Sequence, residues 1–165
     1  MGACLTTSAD SGENFGSKNF YDFSASRSDG STQPMEEFKG KVVYATNVAS
    51  HWGQTPREYA QMKKLGERWG SDLVILAFPS REFGKQEFES DEDIQKFVAE
   101  KGFPGVLLKL GKVKGPEAPE VWRYMKGVTG AKNPIWNFRA KYLVSRDGTV
   151  STPKGKLEDA IAALM

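Results

Sequence analysis

Apolar positions along the chain fall into two kinds of block. Residues 41–48 (KVVYATNV) and 72–78 (DLVILAF) are short, mostly apolar and rich in β-branched side chains, as in strands buried on both faces. Between them, Thr55-Pro56-Arg57-Glu58 has the form of a helix start. Thr55 is placed to cap, Pro56 suits the first helical position, and Glu58 completes a capping box. Tyr59, Met62, Leu65 and Trp69 then recur at helical spacing, and Gly70 ends the helix. A strand–helix–strand unit of this kind predicts a parallel pair with a right-handed crossover. Ser90-Asp91-Glu92-Asp93 repeats the capping pattern, with Ile94, Phe97 and Val98 inward and Gly102 as the stop. A shorter helix is expected over residues 119–126. Residues 140–145, the Asp147-Gly148 turn and Thr149-Val150 read as an antiparallel hairpin. The last helix carries Leu157, Ala160, Ile161 and Leu164 on one side. Near the start, Phe20-Tyr21-Asp22-Phe23 and the turn at Ser28-Asp29-Gly30 read as a strand opening a small hairpin. The pattern predicts one α/β domain: a mixed sheet with helices on both faces and no internal repeat.

Composition narrows the function classes. The chain has 165 residues, 39% of them hydrophobic and 27% charged, which is ordinary for a globular domain. A net charge of +2 with no basic run gives no reason to expect nucleic acid as a partner. Nothing approaches the roughly 18 apolar residues of a membrane span. One cysteine, Cys4, excludes an intramolecular disulfide, and with a single histidine, His51, it offers no metal-ligand cluster. Residues 1–18 are rich in Ser, Thr, Gly and Ala without periodicity and read as a disordered leader, leaving residues 19–165 as the domain.

The first residues lack the charged start and apolar stretch of a secretory signal. They fit the N-myristoylation pattern, with Gly2 as acceptor and Thr6 in the favoured place, and Cys4 is available for a second acyl chain. An unmodified tail is the equal alternative. Acylation would hold a cytoplasmic protein at the cytoplasmic face of a membrane. Lys109, Lys112 and Lys114 form a modest basic cluster, either a solvated surface or a contact for anionic lipid.

Three motifs, in order, carry a family resemblance. The first runs from Phe38-Lys39-Gly40-Lys41-Val42-Val43 through Thr46-Asn47-Val48-Ala49-Ser50 to Gly53-Gln54-Thr55 and Tyr59. The second is Ile75-Leu76-Ala77-Phe78-Pro79 with Phe83-Gly84-Lys85-Gln86-Glu87. The third is Trp136-Asn137-Phe138 with Lys141-Tyr142-Leu143-Val144. Together they resemble the glutathione peroxidases over residues 19–150. The resemblance implies a thioredoxin-like fold and a thiolate or selenolate just before a helix N-terminus, where the thiolate is the reactive form. It also implies a Gln amide, an indole N–H and an Asn around that anion. Carried over position by position, the indole is Trp136 and the Asn is Asn137.

Two members of that constellation are substituted. The peroxidatic place, just before Gly53, is Trp52, and indole offers an N–H donor but no nucleophile. The family Gln corresponds to Glu82, whose ionised carboxylate would oppose a neighbouring thiolate. The place of a resolving cysteine in thiol-recycling relatives corresponds to Ala99. These departures favour a non-catalytic member with a structural, regulatory or scaffolding role and an unidentified protein partner, needing no cofactor. The alternative is a peroxidase acting on hydrogen peroxide or lipid hydroperoxides, with selenocysteine native at position 52 and glutathione or thioredoxin as reductant. Cys4 swinging in from the tail is a second source of a thiol for it. The short loop before Trp136 lacks the insertion of tetrameric relatives and so implies a monomer. Trp52 itself reads as a plug in a former active site or as a binding platform. His51 reads as a loop histidine, since only its chain neighbour Ser50 stands near it as a hydroxyl.

Overall fold

The computed structural model describes residues 13–165. Gly2 and Cys4, the acylation candidates, lie outside the described residues. The seven residues of β3 (Val42–Val48) are all buried, because the strand runs through the middle of the sheet. It pairs in parallel with β4 (Leu73–Pro79) and antiparallel with β6 (Lys141–Val144). β5 (Val106–Leu107) joins β4 in parallel and β7 (Val150–Ser151) joins β6 antiparallel, so the sheet order is β5-β4-β3-β6-β7. β1 (Ser24–Ser26) and β2 (Thr32–Pro34) form a separate N-terminal hairpin.

Alternation along the strands divides the core in two. Val43 and Ala45 of β3, Leu76 and Phe78 of β4, and Tyr142 and Val144 of β6 face one side. Val42, Tyr44, Leu73, Ile75 and Leu143 face the other. On the first side lies α3 (Glu120–Thr129), which buries Val121, Trp122 and Met125. Trp122 satisfies its N–H on the Val113 carbonyl at 2.9 Å, so the large ring is buried without an orphan donor. On the second side lie α1 (Thr55–Trp69), α2 (Asp91–Glu100) and α4 (Leu157–Ala162), which contribute Tyr59, Met62, Leu65, Ile94, Val98 and Ile161. The mixed sheet flanked by helices is the architecture that the hydrophobic pattern predicts.

Local structure departs from expectation in four places. Thr55 does not cap α1; the cap position is Gln54, without a side-chain bond. Thr55 is fully buried and donates its hydroxyl to the Ala49 carbonyl at 2.7 Å, tying the helix start to the end of β3. Phe20–Asp22 is a 3₁₀ turn, not a strand. Asn19 accepts from the Tyr21 amide at 2.9 Å and Asp22 accepts from the Asn19 amide at 2.8 Å, and this reciprocal cap winds the segment. α3 continues past Lys126 to Thr129 and ends at Gly130 in the left-handed conformation (φ 68°). In its last turns Gly127 lies against Phe15, where a Cβ would stand 3.3 Å from the ring. Phe15 belongs to the segment read as a leader, yet its ring meets Phe23 and Tyr124 edge-on at 5.9 and 5.4 Å. Lys18, from the same segment, pairs with Glu120 at 3.2 Å.

Candidate functional site

Three segments meet at the C-terminal ends of β3 and β4: residues 49–54, 80–88 and 136–140. Two polar residues inside the apolar run of β3 assemble them. Asn47 donates from Nδ2 to the Trp136 carbonyl at 2.9 Å and accepts from the Ala140 amide at 3.0 Å. Its own carbonyl accepts from the Phe138 amide at 2.7 Å. Thr46 donates to the Ala140 carbonyl at 2.8 Å. Both side chains are fully buried, where an unpaired amide or hydroxyl would be costly. The 136–140 loop is thereby held in one conformation, with Phe138 at a φ of 59° that non-glycine residues seldom adopt. Sequence reading assigns Thr46 and Asn47 no role. The signal available there was two polar residues in an otherwise apolar buried strand.

On this frame Trp136 and Asn137 come together with the 80–88 loop. The Trp136 ring lies over Gly84, where a Cβ would stand 3.3 Å from Cη2, and meets Phe83 at 6.1 Å. Gly84 and Lys85 are consecutive residues with positive φ, 67° and 53°, which turn the chain sharply. Asn137 is buried and donates from Nδ2 to Gln86 Oε1 at 2.8 Å. The amide beside Asn137 is therefore that of Gln86, which sequence reading does not single out. Glu82 has other partners: its Oε1 accepts from the Val113 amide at 2.5 Å, the Lys114 amide at 3.3 Å and the Ser80 hydroxyl at 3.2 Å. The expectation that its carboxylate faces position 52 finds no contact among the described residues. Two backbone amides draw it to the 113–114 segment instead.

Trp52 sits in the turn between β3 and α1, half-buried. Its ring stacks on Phe138 with centroids 5.8 Å apart and planes at 23°. His51 is exposed, sets its ring edge-on to Phe88 at 4.2 Å, and donates its amide to the Gln86 carbonyl at 2.8 Å. Ser50 Oγ donates to Glu87, and no hydrogen bond joins it to His51 among the described residues. Ala99 lies exposed on α2.

The site also contains a carboxyl group that sequence reading missed. Glu87 is only 2% exposed. Its Oε1 accepts from the Ser50 hydroxyl, from the Ser50 amide at 3.2 Å and from the Phe88 amide at 3.0 Å. Its Oε2 is buried without a partner. Burial pushes the carboxyl up to about 7, against the Ser50 and Phe88 hydrogen bonds that favour the charged form. Nearby Tyr59 is buried with its hydroxyl unpartnered. Burial first, then the Glu87 charge, holds its phenol well above the ordinary range.

Beside Trp52 runs an open groove of about 740 Å³ between α1 and residues 137–141. Among the described residues no cluster of three or more His, Cys, Asp and Glu could hold a metal ion. Among them, too, no helix is long and apolar enough to cross a membrane. Chemically the site offers an indole, amides, a buried carboxyl and a buried serine hydroxyl engaged with it. None of these is an exposed nucleophile with a base at its side.

Residues 20–126 match the model of the family described as glutathione peroxidase. The chain is 39% identical over 137 residues to "Glutathione peroxidase-like peroxiredoxin 1" of Saccharomyces cerevisiae, covering 79% of this chain and 81% of that protein. It is 35% identical over 148 residues to "Phospholipid hydroperoxide glutathione peroxidase" of Callithrix jacchus, covering 86% and 75%. Among solved structures, "Crystal structure of Trgpx in apo form" superposes with a TM-score of 0.66 at 26% identity, covering 90% of this chain and 96% of that one. The fold is thioredoxin-like, as the resemblance implied.

Proposed function

The chain belongs to the glutathione peroxidase family, and from that premise we propose that it is a member without peroxidase activity, in which Trp52 takes the place of the family's peroxidatic cysteine or selenocysteine. The observation that carries this reading is the turn between β3 and α1. It presents an indole stacked on Phe138 where the chemistry needs a chalcogen. Glu82, bound to the 113–114 amides, and Ala99, exposed on α2, support it. No cysteine follows Cys4. The function left to such a domain is binding: a regulatory or scaffolding component, monomeric and in the cytoplasm. Acyl chains on Gly2 and Cys4 would hold it at a membrane surface.

A second reading rests on the retained surroundings. Trp136 and Asn137, the indole and the Asn that the resemblance implies, still stand beside the 80–88 loop, Trp136 over Gly84 and Asn137 on Gln86. With selenocysteine native at position 52, the protein would reduce hydrogen peroxide or lipid hydroperoxides, using glutathione or thioredoxin.

One experiment separates the two. Protein from its natural source is assayed with hydrogen peroxide and a phospholipid hydroperoxide, with glutathione and thioredoxin systems as donors. The peptide carrying residue 52 is weighed by mass spectrometry. No turnover with the tryptophan mass is the expected result. Turnover with a selenium mass would establish the second reading. Turnover with tryptophan confirmed would overturn the first, and a Cys4→Ser variant would then show whether the tail supplies the thiol.

A further inference from the structure

The groove beside Trp52 is unevenly charged. Its lining includes four cations, Arg57, Lys64, Arg139 and Lys141, and two acids, Glu58 and Glu158. Both acids are engaged: Glu58 lies 3.5 Å from Lys141, and Glu158 accepts from Arg68 at 2.6 Å. Arg57, Lys64 and Arg139 have no acidic partner among the described residues. Three uncompensated cations around one concavity concentrate positive potential in it, and the N-terminal end of α1 adds to the same sign. The Trp52 ring has Phe138 against one face and lines the groove, and its N–H has no partner among the described residues. At about 740 Å³ the groove has the size of a small-molecule site. The wall carrying Phe138 and Arg139 is held by the Asn47 and Thr46 hydrogen bonds, so the platform is preorganised.

We propose that this groove binds an aromatic anion, its ring stacked on Trp52 and its phosphate or carboxylate held by Arg57, Lys64 and Arg139. Stacking explains an indole left at the surface, and the free cations explain why the ligand carries charge. Arginine suits the anion because its planar fork meets two oxygens at once. The site rests on the reading that residue 52 is natively tryptophan.

The test is calorimetric titration of the full chain with adenosine 5′-monophosphate and with flavin mononucleotide. Adenosine, riboflavin and inorganic phosphate serve as the matched half-ligands. At least one aromatic anion is expected to bind below 1 mM, with its half-ligands at least tenfold weaker. Trp52→Ala is expected to weaken binding about tenfold or more, the range of one stacked ring. Arg57→Gln and Arg139→Gln change exposed side chains, keep the fold, and are each expected to weaken it severalfold while flattening its salt dependence. Absence of binding by both anions at 1 mM overturns the site. So does phosphate binding as tightly as the nucleotides, or full affinity in Trp52→Ala. Peroxide turnover on the same preparation reports separately. Turnover with tryptophan at position 52 would remove the non-catalytic reading and leave the binding result standing. Missing binding without turnover would do the reverse.

Discussion

Glu82 and Glu87 leave the same loop after β4 and end in different surroundings. Glu82 keeps part of its surface in water and gathers two backbone amides and a hydroxyl on one oxygen. Glu87 is enclosed, with three donors on one oxygen and none on the other. Solvation makes the difference. An oxygen that water can reach needs no protein partner, whereas a buried one without a partner favours the protonated acid. The contrast also separates their roles. Glu82 ties its loop to the 113–114 segment. Glu87 holds Ser50, and with it the turn that carries Trp52.

The comparison breaks most visibly at Glu87→Ala. That change strips the acceptor from the Ser50 amide, the Ser50 hydroxyl and the Phe88 amide in a buried setting. A loss of about 4 kcal/mol is expected in denaturant unfolding at pH 6. Next in size is the pH dependence. The Glu87 carboxyl rises from 4.5 to about 7 on folding, so the folded state binds the extra proton between those values. Its contribution is fully present below pH 4.5, falls as pH rises, and is lost once pH passes about 7. The linked loss is about 3 kcal/mol. Glu87→Gln is expected to remove this slope, measured as the difference between the two stability curves from pH 4.5 to 8. A parallel fall in both curves would assign the slope to other groups.

Ser50→Ala comes third. It leaves Glu87 without its hydroxyl donor, costs about 1.5 kcal/mol, and moves the carboxyl midpoint further upward, followed by carbon-13 NMR. The smallest effect is at Glu82→Ala, a partly exposed position where water can reach the Lys114 amide. About 1 kcal/mol or less is expected in the same unfolding assay. If Glu82→Ala proved as costly as Glu87→Ala, solvation would not be what distinguishes the two.

Much of the fold was legible along the chain. β3 and β4 read as buried strands because both faces are covered, and α1 read from its apolar spacing. Trp136 and Asn137 were singled out through the motif that contains them, and the structure brings both to the 80–88 loop. Gln86 and Glu87 belong to a quoted motif as well, yet their roles were hidden. Their neighbours, Asn137, Ser50 and Tyr59, come from other parts of the chain.

Sequence alone determined the buried strands β3 and β4, the helices α1 and α2 and the family, because periodicity, turn chemistry and motif spacing are local properties. Tertiary structure alone decided which carboxyl faces water and which is sealed. It also decided which amide meets Asn137, and that Thr55 anchors a loop instead of capping a helix. It left Arg57, Lys64 and Arg139 without an acidic partner among the described residues around Trp52. Those outcomes depend on burial and on partners distant in sequence, and a side chain's solvation and hydrogen bonds exist only once the chain has closed around it.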